Sequence, residues 1–356
     1  MTKHMLAISL TLLAITSAGQ PAPPAAPASH WYRGNTHTHT LNSDGDSPPD
    51  SVARWYRDHG YAFLFITDHE KITDPAPLNA RYGKPGSFLL ITGQEVTQRI
   101  DDSTHADKRR QAHINSLGAR SVVMPQGTNG VASGITMAEG YARNIAAIRA
   151  AGGIPQVNHP NYRWSVRLGD VVALPDSTLF EIANAHTGVN NLGSRDADGR
   201  VVPPTEGLWD SLLTRGKMLF AVGDDDAHSF LPRDVDVYSL TRPGRSWVMV
   251  RADTLTADAI LRALHRGEFY ASTGVTLSEL SVDARTVHLV VEVQGNDDTR
   301  FTTDFIGRGG RVLATVNGKD ASYRVRGDEG YVRARVTDSN GKKAWTQAVF
   351  LPRTAR

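Results

Sequence analysis

The chain has 356 residues, and its 39 Lys and Arg exceed its 37 Asp and Glu by a net charge of +2. At roughly 100–200 residues per domain, this length allows two domains or one large barrel with an appendage. With 40% hydrophobic and 21% charged residues, the composition excludes a wholly disordered chain, a collagen and a polytopic membrane protein. So small a basic surplus argues against a dedicated nucleic-acid binder. The absence of Cys excludes disulfides, thiolate zinc sites and cysteine nucleophiles together.

In chain order, Thr2-Lys3-His4 is a short polar start, residues 5–15 are mostly apolar, and Thr16-Ser17-Ala18-Gly19-Gln20 offers small residues for cleavage. This is the layout of a secretory signal peptide. The apolar run is shorter than the about 20 residues that cross a bilayer. Residues 1–20 are therefore expected to be a signal peptide. Residues 21–30 form a Pro/Ala linker, extended by composition. The expected mature protein is exported, periplasmic or extracellular, with no membrane span after signal cleavage.

Residues 31–275 alternate strand and helix patterns. Strands are predicted at 34–38, 61–67, 88–92, 114–117, 154–158, 179–182 and 218–222. Helical patterns fall at 51–59, 137–151, 209–214 and 257–264. In the second, Ala142, Ile145, Ala146 and Ile148 share a side, and Gly152-Gly153 is the stop. Repeated β-then-α units imply a mostly parallel sheet, open or closed as a barrel. From 276 to 356 the texture changes. Short β-branched and aromatic runs at 287–293, 311–316, 331–336 and 345–351 are separated by turns such as Val316-Asn317-Gly318-Lys319. Asn-Gly between such runs marks a hairpin. The expectation is a small antiparallel β domain of the sandwich type.

The chemistry-bearing residues cluster at the predicted strand ends. His37 and His39 form a His-x-His pair, and residues two apart in a strand face the same side, so both imidazoles can reach one metal. Asp44 follows in Ser43-Asp44-Gly45, close to Asp46. His69 ends Thr67-Asp68-His69, and Glu95 ends Gly93-Gln94-Glu95. His113 opens Ala112-His113-Ile114-Asn115, and His159 sits in Asn158-His159-Pro160. Asp226 and His228 form an Asp-x-His pair. These six imidazoles and three carboxylates, without sulfur, suit zinc, manganese or iron. They are too many for one tetrahedral ion and suit two or three divalent ions sharing bridging carboxylates.

Taken together, Asn35-Thr36-His37-Thr38-His39-Thr40, Ser43-Asp44-Gly45, Thr67-Asp68-His69, Gly93-Gln94-Glu95, His113, Asn158-His159-Pro160 and Asp226-Ala227-His228 resemble the PHP (polymerase and histidinol phosphatase) family. The resemblance covers residues 31–275. It implies a distorted (β/α)7 barrel, a trinuclear metal centre and phosphoester hydrolysis. It also implies His37, His39, Asp44, His69, Glu95, His113, His159, Asp226 and His228 as metal ligands. The signal peptide and β tail resemble an exported branch that includes carbaryl-hydrolase-like metallohydrolases, which admits carbamate or ester cleavage. One local departure is Asp224-Asp225-Asp226, where the family often has Gly-Ser-Asp; the spacing selects Asp226.

Metal-bound water, its pKa lowered toward ~7, would supply hydroxide without a side-chain nucleophile. Asp68 and Asn158, beside ligands, are candidates to orient them. Glu181, Asn184 and His186 end another predicted strand, and His186 is a candidate general acid or extra ligand. A phosphate calls for cationic clamps; Arg163 is the first candidate, with Lys71 and Arg195 behind it. The expected activity is hydrolysis of small phosphate mono- or diesters. The alternatives are a carbamate or carboxylic-ester hydrolase on the same metals, a non-catalytic glycan- or partner-binding protein, and a nuclease, which the charge balance disfavours.

Overall fold

A computed structural model describes residues 29–105, 107–197, 199–231, 241–283, 285–293 and 298–351 of this chain. The predicted signal peptide and most of the linker lie outside the described residues. The first part runs β1 (His30–Asn35), α1 (Pro49–Asp58), β2 (Phe63–Ile66), α2 (Pro75–Tyr82), β3 (Leu89–Thr92), β4 (Glu95–Asp101) and β5 (Arg109–Leu117). Then come β6 (Val131–Ala132), α3 (Met137–Ala150), β7 (Ile154–Val157), α4 (Leu168–Val171), β8 (Leu179–Asn184), β9 (Ser194–Arg195) and β10 (Val201–Val202). The order continues with α5 (Thr205–Thr214), β11 (Phe220–Asp224), β12 (Trp247–Ala252), α6 (Ala257–Arg266) and β13 (Phe269–Ser272). The remainder is β-rich: β14 (Leu277–Val282), β15 (Thr286–Val291), β16 (Phe301–Gly307), β17 (Arg311–Asn317), β18 (Asp320–Arg324), β19 (Tyr331–Asp338), β20 (Lys343–Thr346) and β21 (Val349–Phe350).

Local chemistry explains the best-defined helix. The Thr136 hydroxyl accepts the Glu139 N–H, and the Glu139 carboxylate accepts the Thr136 N–H, a reciprocal cap at the start of α3. Gly152, with φ 84°, takes the left-handed conformation just past its end. Tyr141, Ile145 and Ile148 make one buried face of α3 and join Ile114 of β5 and Val157 of β7 in a shared core.

The sheets are less parallel than the sequence pattern predicts. In the first, β1, β2 and β3 are parallel, but β12 pairs antiparallel with β1 and β13 antiparallel with β12. In the second, ordered β11-β8-β7-β5-β4-β6, β5 runs antiparallel to both β4 and β7. The cause is loop length: only residues 102–108 join β4 to β5, and a parallel crossover needs about a dozen residues. The two sheets meet at their edges. Isolated parallel bridges join Thr38 to Ala227 and His69 to Glu95, and the Ser116 N–H donates to the Gln94 carbonyl at 2.7 Å. Phe63, Leu179 and Phe220, at the starts of β2, β8 and β11, pack with Leu117 and Ile154 in an apolar core. The opposite ends of the same strands carry the polar residues of the site.

The sheet does not stop at residue 275. β13 pairs with β20, which continues through β19 and β16 to β17 in the same ten-stranded sheet. β14, β15 and β18 form a second layer of the C-terminal part, and Val287, Leu289, Phe305 and Val336 lie in the core they share with the first. Arg333 of β19 is buried and donates to Asp210 (2.6 and 2.8 Å) and Glu206 (2.8 Å) of α5. Arg335 also reaches Glu206, at 3.2 Å, and Asp304, at 2.8 Å.

Candidate metal centre

The predicted ligands come from the ends of several strands and from one strand interior. His37 and His39 follow β1, and His69 follows β2. Glu95 is the first residue of β4, and Asp226 and His228 follow β11. His113 differs from its expected place: it lies midway along the antiparallel β5, paired with Thr97. The β4–β5 pairing that puts it there requires the short return from β4, which the strand pattern does not reveal.

Two imidazoles converge on two carboxylates. His37 Nε2 lies 3.3 Å from Glu95 Oε2 and 3.3 Å from Asp226 Oδ1. His39 Nε2 makes the same two distances, and the two Nε2 atoms are 3.2 Å apart. Nitrogen and oxygen donors this close together, such as His37, His39 and Asp226, are a set that suits a divalent ion. Glu95 Oε1 faces two more imidazoles, His113 Nδ1 at 3.0 Å and His159 Nε2 at 3.4 Å. Asp44, 53% exposed, faces three: His39 Nδ1 at 3.2 Å, His228 Nε2 at 3.4 Å and His69 Nε2 at 3.5 Å. Glu95 thus stands between two ligand groups, with one oxygen toward each.

Neighbours fix the imidazole orientations. Glu181 Oε1 lies 2.7 Å from His37 Nδ1, Thr97 Oγ1 lies 2.7 Å from His69 Nδ1, and Gln111 Oε1 lies 3.0 Å from His113 Nε2. With the outer nitrogen so engaged, the inner one presents its lone pair to the cluster. Asn158 donates to Glu95 Oε1 at 2.8 Å, and Asn184 to Asp226 Oδ2 at 3.1 Å. His159 and Asp226 both have positive φ, 24° and 47°, an unfavourable backbone for these residues. The Glu181 carboxylate accepts the His159 N–H, and the His37 carbonyl accepts the Asp226 N–H, so hydrogen bonds hold both strained positions.

The three consecutive acids have three different environments. Asp226 joins the ligand cluster. Asp225 accepts the N–H groups of Gly244, Arg245 and Ser246 at 2.9, 2.7 and 3.0 Å, the Asn35 amide at 2.8 Å and the Tyr56 hydroxyl at 3.0 Å. Asp224 Oδ2 accepts from Gln156 at 2.9 Å. Burial and the nearby Glu181 push the Asp224 carboxyl well above the usual carboxylate range. Glu181 remains below that range: burial opposes this, but the ion pair and hydrogen bond to His37 prevail.

Charge in the cluster is arranged around the carboxylates. Burial disfavours ionisation of Glu95, yet His37, His69 and His113 hold it well below its ordinary value. Burial likewise works against the His39 cation, but hydrogen bonds to Asp226 and Glu95 push it up to about 10. Protonated imidazoles here occupy the electrostatic position that a metal cation would take.

A cavity of about 80 Å³ opens on the cluster, and His186 and Tyr162 are among its walls. His186 Nδ1 accepts the Gly188 N–H at 2.8 Å, which assigns the ring proton to Nε2 in the neutral form. Burial lowers its pKa, favouring that form. Two other expected catalytic groups stand elsewhere. Asp68 is buried beneath the ligand loop, its oxygens accepting from Thr40 (2.8 Å), Ser43 (2.8 Å) and Thr73 (2.6 Å), so it positions that loop and does not line the cavity. Arg163 is 54% exposed, faces Asp107 at 3.7 Å and lines a different cavity. Its φ of 50° turns the chain after Tyr162, which takes the place at the metal cavity instead. Lys71 bonds Asn42, and Arg195 bonds the Gly199 carbonyl. Tyr162, Gln156 and Thr97 have no sequence signal beyond their nearness to ligand-bearing strands.

No protein-family model and no curated protein matches the sequence. Among solved structures, a two-domain protein from Bacteroides vulgatus containing a PHP-like metal-dependent phosphoesterase is 16% identical, with a TM-score of 0.50. The alignment covers 90% of this chain and 96% of that one. An amidohydrolase from Chromobacterium violaceum with bound sulfate is 16% identical over 59% of this chain and 93% of its own, with a TM-score of 0.33. A candidate metal-dependent phosphoesterase from Bifidobacterium adolescentis is 16% identical over 58% and 89%, also with a TM-score of 0.33. In overall fold this chain is thus similar to the two-domain PHP-like protein, the family that its motifs resemble.

Proposed function

We propose that this chain is an exported, metal-dependent hydrolase that cleaves small phosphate mono- or diesters at a multinuclear centre. The observation that carries the reading is the convergence of His37 Nε2 and His39 Nε2 on both Glu95 Oε2 and Asp226 Oδ1, each at 3.3 Å, with Glu95 shared by a second group. His37, His39, Glu95 and Asp226 would hold one ion. Glu95, His113 and His159 would hold another, and Asp44, His69 and His228 a third. Zinc, manganese and iron suit such donors. The edge-joined sheets are read as the distorted (β/α)7 barrel that the motifs' resemblance implies. The bridges at Thr38 and His69 support that reading.

When bound, the metals would supply Lewis acidity to a phosphoryl oxygen and make water more acidic at neutral pH. The chain's own groups do the rest. Glu181, Thr97 and Gln111 keep imidazole lone pairs aimed inward. His186, with its proton on Nε2 at the cavity wall, is placed to donate a hydrogen bond to the leaving oxygen. Asp68 holds the turn between His39 and Asp44.

One observation favours a second reading. Among the described residues, no Lys or Arg lines the metal cavity, and a substrate without phosphate needs fewer cations there. That reading is a carbamate or carboxylic-ester hydrolase on the same centre. Metal analysis of the purified protein, with turnover of chromogenic phosphate monoester, phosphate diester and carboxyl or carbamate ester, separates the two. A His37→Ala, Asp226→Ala double variant is the blank. Bound transition metal with phosphoester cleavage supports the first reading. Metal with only ester or carbamate cleavage replaces it by the second. Neither metal nor turnover, even with added manganese or zinc, overturns both and leaves the binding-protein reading.

A further inference from the structure

The three ligand groups differ in exposure. His37, His39, Glu95 and Asp226 are buried, as are His113 and His159. In the remaining group, Asp44, His69 and His228 are 53%, 23% and 19% exposed. An exposed ligand on a loop has few packed neighbours to hold it, so its placement depends on how the loop itself is fixed.

Asp44 and His228 stand on two segments far apart in sequence, residues 40–47 and 228–231. The first is a tight loop. The Gly45 N–H donates to the Thr40 carbonyl at 3.0 Å, and the Leu41 N–H to the Ser47 carbonyl at 2.9 Å. A Cβ on Gly45 would lie 2.7 Å from the His39 carbonyl carbon and oxygen, so only glycine allows this approach. Asp68 holds the start of the loop through Thr40 and Ser43. The second segment is anchored by Phe230, whose ring meets those of Trp55 and Tyr56 edge-on, with centroids 6.1 and 6.0 Å apart.

Asp46 ties the two segments together. Its N–H donates to the His228 carbonyl at 2.8 Å. Its carboxylate accepts the Phe230 N–H at 2.9 Å, the Leu231 N–H at 3.4 Å and the Ser47 hydroxyl at 3.0 Å. Three bonds thus join residue 46 to the segment that carries His228. Of the two nearby acids, Asp44 faces the imidazoles of His39, His69 and His228, and Asp46 faces backbone N–H groups.

We propose that the position formed by Asp44, His69 and His228 is the exchangeable one of the three metal positions, and that Asp46 is the positioning residue that sets its affinity. The inference rests on the multinuclear reading of the centre. With the tie in place, Asp44 Oδ1 and His228 Nε2 stand 3.4 Å apart, ready to meet on one ion. Without it, binding must also order two exposed segments, and that entropy lowers the affinity.

The test is calorimetric titration with manganese, and elemental analysis of metal content, in the wild type, Asp46→Ala, Asp46→Asn, His228→Ala and the Asp46→Asn, His228→Ala double variant. The wild type is expected to bind one equivalent more weakly than the rest. Asp46→Ala and Asp46→Asn weaken that equivalent by about 10–100-fold and leave the tighter ones unchanged. His228→Ala removes the same equivalent, and adding Asp46→Asn to it changes the remaining sites no further. A tie that served only the fold would weaken all the sites together and would add its loss to that of His228→Ala. That result, or a wild-type titration in Asp46→Asn, overturns the inference while leaving the metal centre intact. So does a wild type whose sites all bind with one affinity. If Asp46→Ala does not fold, Asp46→Asn, which keeps the shape and one acceptor oxygen, decides by the same criteria. A wild type that binds no manganese overturns the inference and the multinuclear reading together.

Discussion

His37 Nδ1 lies 2.7 Å from Glu181 Oε1, while Nε2 of the same ring lies 3.3 Å from both Glu95 and Asp226. One side of the imidazole is held by a buried carboxylate so that the other can serve the metal. Losing such an outer partner lowers metal affinity by about 10–100-fold. Glu181→Gln is therefore expected to weaken metal retention by that order while keeping the fold. Chelator competition on the purified variant measures it, and wild-type affinity would remove Glu181 from this role.

Metal and stability are coupled through the same cluster. The carboxylates of Glu95, Asp226 and Asp44 converge with six imidazoles, and a ligand that binds only the folded state stabilises by about 2.7 kcal/mol at a hundredfold excess over Kd. Manganese or zinc is expected to raise the thermal midpoint, and a chelator to lower it. Glu95→Gln should abolish most of the increment, because both oxygens of Glu95 face ligand groups. A midpoint indifferent to metal in the wild type would count against the centre.

Asp68 tests positioning without ligation. It anchors Thr40, Ser43 and Thr73 from below the ligand loop. Asp68→Ala leaves those donors unpaired in a buried place, at a cost of about 2–4 kcal/mol. Denaturant unfolding should show this loss, with turnover reduced even in metal-saturated protein. Normal stability and normal turnover together would contradict the assignment.

The α5–β19 contact predicts a pH effect. Burial alone would raise the Glu206 pKa, but Arg333 and Arg335 hold it below the ordinary value. The unfolded chain then binds more protons than the folded one as pH falls. The contribution is full above the unfolded glutamate pKa, near 4.3, and is lost as pH drops through the lower folded value. Thermal melts from pH 7 to pH 3 should fall more steeply in the wild type than in Glu206→Gln. Arg333→Met, which leaves Asp210 and Glu206 buried without their main cation, is expected to cost about 3–5 kcal/mol at pH 7.

Four helices, α1, α3, α5 and α6, were legible in the sequence because their signals are local, whereas α2 and the one-turn α4 were not. Thr136, Glu139 and Gly152 mark α3 by capping chemistry that neighbouring residues share. The candidate ligands were legible for a different reason: His37, His39, Asp226 and His228 form short-range pairs, and the remaining ligands lie close to predicted strand ends. The strand directions were not. β12 and β13 leave no pattern that says antiparallel, and β5 reverses because its loop is short. Nor does the texture change after residue 275 reveal that β13 and β20 share a ladder.

By itself, then, the sequence determined which residue types were available for a metal centre and where a β-rich tail begins. Only the tertiary structure decided how they are used. Asp224, Asp225 and Asp226 are equal in sequence, yet burial and Glu181 push the first well above the usual carboxylate range, the second accepts three backbone N–H groups, and the third converges with His37 and His39. Arg163 follows Tyr162 directly, yet a single positive φ sends the two side chains to different cavities. The reason is physical. Ligand identity requires oxygens and nitrogens within about 3.5 Å of one another, and such distances between residues far apart in the chain exist only once the sheets have joined.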